Sequence, residues 1–366
     1  MTDTTIFTKF QTIAAQDIAG SDRGGRIAPF YSTQWVASSV LQKAIRRNQP
    51  YVAVQAGRFL LEVKRDTLLR RLNAIAAEDI GVADIQTVAL TAACLKSAKV
   101  RRDLGGEPVV TDHLIRRMCA ARKSRSADDL LMTVERLPEL ASDRIRFAKM
   151  SNVRLRQIIL GCLSLELKAL ALWYLFGTKR CASDHLLFRL GNPDMAWDTL
   201  AELGVAPTML QVSRENFTKT VTMLAPYMSL LSLQNDVVSD RMHNDPTPVE
   251  TVIKGVPSWG YDMYTRPGRA ALNRLLHSNA GVASWAAAYL PRHGRVQILG
   301  ELLFRVEGQC LSQRSDGSLG TELKERWEQH CAGISTEAVH HGMNALCNAL
   351  PDLNAIRVEI AAEGVK

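Results

Sequence analysis

The chain has 366 residues, of which 46% are hydrophobic and 22% charged, a balance that supports a sizeable core and excludes a disordered chain. Lys and Arg number 45 against 37 Asp and Glu, and the net charge of +8 favours a polyanionic partner, most simply DNA. There is no run of 18 apolar residues, no basic-then-apolar leader pattern and no CxxC pair among the seven cysteines. The expectation is a reduced, cytoplasmic protein that contacts no membrane and carries neither a disulfide framework nor a zinc site.

Helical periodicity dominates the chain. Residues 1–33 read as an N-terminal segment with a flexible connection at Ser21-Asp22-Arg23-Gly24-Gly25-Arg26. Residues 34–47 place Val36, Val40, Leu41 and Ala44 on one stripe, and Asn48-Gln49-Pro50 ends that helix. Helices are predicted next over 52–62, 66–78 and 84–99, the last capped by Asp84. Others should run from Thr111 or Asp112 to 122 and from about 128. Long helices are predicted at 153–176, 183–190, 194–203 and 213–233, then at 266–277, 281–290, 295–310, 320–333, 336–348 and 352–362. Strand signals are weak and short, at 108–111 and 250–253. The predicted class is all-α and multi-helical, with a basic domain over 34–150 and a further helical bundle over 151–366.

The positive charge is uneven. From Lys96 to Arg125 there are nine Lys and Arg against Asp103, Glu107 and Asp112. Arginine suits bidentate phosphate contacts. Arg101, Arg102, Arg116, Arg117, Arg122, Lys123 and Arg125 are therefore candidate DNA-phosphate ligands.

Two stretches carry a resemblance. Leu41-Gln42-Lys43-Ala44-Ile45-Arg46-Arg47 is followed by Leu69-Arg70-Arg71-Leu72-Asn73-Ala74-Ile75-Ala76-Ala77-Glu78-Asp79-Ile80-Gly81-Val82-Ala83-Asp84. At similar spacing this resembles the helical domain after the ATPase module in the RarA/MgsA family of recombination factors, which is related to the clamp-loader collar. The resemblance spans residues 40–95. It implies a helical DNA-transaction scaffold and carries over no activity, since no G-x-x-x-x-G-K-[ST] loop is present. Glu78 and Asp79 close a helix whose end opposes acids, so they should pair with Arg70, Arg71 or another helix, with Gly81 just beyond.

Chemistry is sparse. There is no HExxH, no G-x-S-x-G and no Rossmann glycine pattern, so no metal or other cofactor is expected. Cys94 and Cys119 read as core thiols, and His243-Asn244-Asp245 as a capped loop. The unusual segment is 256–269, with Trp259, Tyr261, Asp262, Tyr264, Arg266 and Arg269. Trp259, Tyr261 and Tyr264 are candidate base-stacking residues, Asp262 a candidate catalytic carboxylate, and Arg266 and Arg269 candidate phosphate ligands. Upstream, Gln234 and Asn235 could read a base edge and Asp236 could assist the chemistry; a cap with an Asp–Arg pair is the plainer account.

One buried carboxylate can stabilise the oxocarbenium-like state of glycosidic cleavage, provided the base is flipped into a pocket. The leading expectation is thus a DNA glycosylase for a modified or damaged base, in repair or antiviral defence. The alternative is a non-enzymatic replication or recombination scaffold that binds DNA. A weaker third is a metal-dependent nuclease using Asp236, Asp240 and Asp245.

Overall fold

The computed structural model describes residues 3–20, 27–30, 32–329 and 333–364. The glycine-charge stretch 21–26, His330 and Cys331 lie outside the described residues. Its architecture is all-α and multi-helical, with two small two-stranded sheets among the described residues.

The first half builds around α1 (Asp3–Gly20), α2 (Gln34–Arg46) and α3 (Pro50–Ile75). Thr33 caps α2 by accepting the Val36 N–H, and Pro50 opens α3, where a missing N–H costs nothing. Two helices were predicted over 52–62 and 66–78. They form one helix with non-helical angles at Lys64, because the intervening charged residues contain no Pro or Gly to end it. A π-helical turn, Ala76–Ile80, and a 3₁₀ turn, Gly81–Asp84, lead into α4 (Ile85–Leu95). Asp84 caps α4 through the Thr87 N–H at 2.9 Å. Gly81 has φ +55°, and a Cβ there would lie 2.7 Å from the Ser124 carbonyl, so both the turn and the packing require glycine.

Then come α5 (Ala98–Asp103), α6 (Glu107–Ala120), α7 (Ser126–Arg136), α8 (Ala141–Ala148), α9 (Asn152–Leu160) and α10 (Leu165–Phe176). The β-branched run at 108–111 lies inside α6, with Pro108 in its first turn. The helix predicted at 183–190 is a loop. Its apolar spacing mimics a helix, but the Thr178 hydroxyl donates to the Leu187 carbonyl and accepts the Arg189 N–H. Gly177 lets this loop cross beside α10: a Cβ there would meet the Leu190 carbonyl at 2.1 Å.

Next are α11 (Pro193–Glu202), α12 (Pro207–Thr220) and α13 (Leu224–Leu231). The last two replace one predicted helix, broken at Val221, which has φ +54°. Strand β1 (Val238–His243) pairs antiparallel with β4 (Arg314–Asp316), and β2 (Val252–Ile253) with β3 (Val256–Pro257). The C-terminal part holds α14 (Arg266–Ser278), α15 (Ala280–Tyr289), α16 (Arg295–Leu303), a π-helical turn over Phe304–Gly308, α17 (Ser318–Gln329) and α18 (Thr336–Ala362).

Buried apolar side chains form two main clusters. One runs from Ala14 to Tyr261 and adds Leu323; the other runs from Met263 to Ile360. Along the chain, Asp262 lies between Tyr261 of the first and Met263 of the second, and α17 gives Leu323 to the first and Trp327 to the second. The boundary expected at 150/151 falls inside the first cluster, between Phe147 and Leu155.

Candidate active site

The seam between the two clusters is built by a short, heavily tied segment. A 3₁₀ turn over Ser258–Gly260 follows β3, and the Asp262 carbonyl accepts both the N–H and the hydroxyl of Thr265, at 3.0 and 2.8 Å. Thr265 then caps α14 through the Gly268 N–H. Gly268 sits where a Cβ would be 2.0 Å from the Asp262 carbonyl oxygen. The backbone on both sides of Asp262 is thereby pinned.

The Asp262 carboxylate is buried and fully engaged. Oδ2 accepts the Lys43 ammonium and the Ser39 hydroxyl, each at 2.7 Å, and Oδ1 accepts the Tyr264 N–H at 3.0 Å. Lys43 also donates to the Trp259 carbonyl at 2.7 Å and to Ser39 Oγ at 3.0 Å. Three acceptors around one nitrogen match the three donors of an ammonium. Burial works to raise the Asp262 carboxyl, but the Lys43 charge and hydrogen bond, with Ser39 and Tyr264, hold it below the usual carboxylate range. Burial draws Lys43 below its ordinary value, with Asp262 opposing.

Asp262 and Tyr264 line a cavity of about 520 Å³ between α2, α7, α16 and the 262–264 segment. Trp35, Phe304 and Trp327 add aromatic surface to its wall. Opposite charges concentrate along one side, where Glu78 and Asp128 face Arg46 and Arg125. Arg46 reaches Asp79 with Nε and Glu78 with a terminal nitrogen, both at 2.8 Å, and donates to the Gly308 carbonyl at 2.6 Å. Arg125 pairs with Glu78, Asp79 and Asp128. Gln42 donates to the second oxygen of Asp79 at 2.9 Å.

These carboxyls are pulled apart in proton affinity. Burial pushes Glu78 up, but Arg125 and Arg46 outweigh it and bring it down to about 2. Burial of Asp128, helped by the negative charges of Glu78 and Asp79, outweighs Arg125 and raises it to about 6. Such divergence inside one cavity is the arrangement that separates a proton donor from an ionised carboxylate. Among the described residues, no group of three His, Cys, Asp or Glu is placed to hold a metal ion.

The structure brings together some of the residues expected from sequence and separates others. Asp262 and Tyr264 share the cavity, and Tyr264 is 68% exposed at its edge. Trp259 and Tyr261 are not free stacking platforms, since both are buried. The Trp259 indole donates to Glu250 at 2.7 Å and lies under Arg47, 4.6 Å from the ring centre. Asp236, Asn235 and Gln234 do not line the cavity. They form the turn after α13 that leads into β1, where Asp236 has φ +58° and an exposed side chain, and its carbonyl accepts the Leu319 N–H. Asp245 is tied to Arg314 at 2.6 Å, while Asp240 is exposed.

Much of the basic run turns inward. Arg101 is buried against Glu107 and the Leu95 carbonyl, and Lys123 donates to the Cys119 and Ala121 carbonyls at 2.8 and 2.9 Å. With Arg125 committed to the acidic cluster, these three are not surface phosphate ligands. Arg122 is half-buried and bonds to Ser315 and the Ser239 carbonyl; Arg117 reaches Thr87 Oγ1 at 3.1 Å. Arg102, Arg116, Arg266 and Arg269 are exposed.

Sequence reasoning did not assign Lys43, Ser39, Arg46 or Asp128 to a site. A signal was present for two of them: Lys43 and Arg46 lie with Gln42 in residues 41–47, and Glu78 and Asp79 lie in residues 69–84, the two stretches that carry the resemblance. The structure folds these two stretches against each other. Compared with protein-family models, curated proteins and solved structures, the chain matches none. Among the described residues, no helix is long and apolar enough to cross a membrane.

Proposed function

We propose that the chain is a DNA glycosylase that hydrolyses the N-glycosidic bond of a modified or damaged base flipped into the cavity beside Asp262. The observation that carries this reading is the buried Asp262 carboxylate, held ionised on the wall of a cavity of about 520 Å³ that also presents aromatic rings. That volume lies in the range of small-molecule sites. In the reaction, the C1′–N bond breaks and its electron pair leaves on the base, which takes a proton from the Asp128 carboxyl. The fixed negative charge of Asp262 stabilises the oxocarbenium-like sugar. Water adds to C1′, and the proton it releases returns to the Asp128 carboxylate, restoring the carboxyl. Exposed Arg102, Arg116, Arg266 and Arg269 are the remaining candidates from the sequence for backbone phosphates, with a role in repair or antiviral defence following from the substrate.

The test is incubation with duplexes carrying oxidised, alkylated, deaminated or otherwise modified bases, followed by alkali and a search for strand breaks. Abasic sites on one of them, lost in Asp262→Asn, are expected. Their absence from every substrate removes the reading. A second reading has its own support: the Lys43–Asp262 pair is internally satisfied and joins the two apolar clusters, as a structural staple would. In that case the chain is a DNA-binding scaffold, and Asp262→Asn lowers stability while wild-type protein makes no abasic sites.

A further inference from the structure

Two depressions adjoin along the C-terminal half of α3. The cavity containing Asp262 shares Trp35, Ser38 and Arg71 with a groove of about 350 Å³, which is lined further by Lys64, Thr67, Arg70 and Thr222. The groove's charged lining is wholly cationic: Lys64, Arg70 and Arg71, with no carboxylate. Among the described residues these three form no ion pair, and Arg71 makes one long contact, to Gln42 Oε1 at 3.4 Å. This contrasts with the neighbouring cations of α3 and α5, where Arg65 and Arg101 share Glu107. Trp35, 61% exposed, stands where the groove meets the cavity.

Unpaired cations in a groove attract a polyanion, and an exposed indole beside them offers a face to a base. The geometry points to this groove as the binding track for one nucleic-acid strand. Lys64, Arg70 and Arg71 contact consecutive phosphates, and Trp35 stacks on the base next to the nucleotide that enters the cavity. The inference rests on the glycosylase reading for what lies in the cavity, but the track itself depends only on charge and exposure. It adds Lys64, Arg70 and Arg71 of α3 to the accessible cations that sequence patterning placed in residues 96–125. A flipped nucleotide remains joined to its strand, and the adjoining groove at Trp35, Ser38 and Arg71 gives that strand a path out.

The experiment measures affinity for a fluorescein-labelled oligothymidylate against salt concentration. The proteins are wild type, Arg70→Glu/Arg71→Glu, Lys64→Glu, Trp35→Ala and, as a control at an exposed arginine away from the groove, Arg292→Glu, with folding checked by circular dichroism. The double reversal should weaken binding more than tenfold and lower the slope of log K against log salt by about 1.4, as expected for two lost single-strand phosphate contacts. Trp35→Ala should cost about tenfold with the slope unchanged, and Arg292→Glu should change little. Unchanged affinity and slope in both Arg70→Glu/Arg71→Glu and Lys64→Glu overturn the track, as does a larger loss in Arg292→Glu. Groove-dependent binding without abasic sites on any substrate supports the track and removes the glycosylase. Base excision that is unaffected by the groove reversals removes the track and leaves the glycosylase.

Discussion

Lys43 on α2 and Asp262, 219 residues later, meet at 2.7 Å where the two apolar clusters join, with 5% and 13% of their side chains exposed. Neither charge has a second partner of opposite sign at ion-pair distance among the described residues. Lys43→Met should therefore leave Asp262 buried and uncompensated and destabilise the fold by about 3–5 kcal/mol. Replacing both, as Lys43→Met/Asp262→Leu, should recover most of that loss. Urea denaturation of the two variants checks it; equal loss in both would show that the pair's hydrogen bonds to Ser39 and Trp259, rather than its charge balance, hold the seam.

Asp128 makes a prediction about pH. Its carboxyl is raised from 3.8 to about 6, so the native state binds the proton more tightly than the unfolded chain does. The penalty for ionising it is absent below pH 3.8 and complete above pH 6. Asp128→Asn should therefore stabilise the protein at pH 7, by about 1–3 kcal/mol, and do nothing at the acid end. Glu78 works with the opposite sign. Lowered from 4.5 to about 2, it contributes stability that is present above pH 4.5 and lost as pH falls through 2. Unfolding free energies of Asp128→Asn and Glu78→Gln across pH 3–8 should diverge accordingly, and parallel profiles would refute the assignment.

Arg46 is matched to its partners by shape as well as charge. Its fork spans Asp79, Glu78 and the Gly308 carbonyl, bonds that a single ammonium cannot reproduce together. Arg46→Lys keeps the charge and should still cost about 2–3 kcal/mol. Thermal denaturation provides the measurement; a melting temperature equal to wild type would mean that charge alone suffices.

Gly268 holds α14 against the Asp262 carbonyl with no room for a methyl group. Gly268→Ala forces the 262–265 turn to move, at a cost of about 1–3 kcal/mol from overpacking. If the glycosylase reading holds, the same change should reduce excision more than ground-state DNA binding, because it displaces the carboxylate and leaves the α3 groove untouched. Single-turnover excision and oligonucleotide affinity, measured together, separate the two effects.

Several features were legible in the sequence because their causes are local. The all-α class follows from 3.6-residue apolar spacing, and the Asp84 cap from a side chain three residues from its donor, Thr87. The pairing of Glu78 and Asp79 with another helix was foreseeable because carboxylates at a helix end demand cations. Which cations, Arg46 and Arg125 rather than Arg70 and Arg71, was decided only when α2 and α7 packed beside the π-helical turn.

The fate of the charge was decided by tertiary structure for the same reason. The sequence determined an excess of +8 and a dense run between Lys96 and Arg125. Whether a cation faces solvent depends on carboxylates and carbonyls that folding brings to it, such as Glu78 for Arg125, 47 residues earlier. Folding buried Arg101, Lys123 and Arg125 and left Lys64, Arg70 and Arg71 lining a groove without an ion pair among the described residues. Likewise Trp259 and Asp262 are near neighbours in sequence, yet one is consumed by Glu250 and Arg47 while the other reaches the cavity. Composition sets how much charge and aromatic surface a chain has; only long-range packing determines which of it remains available.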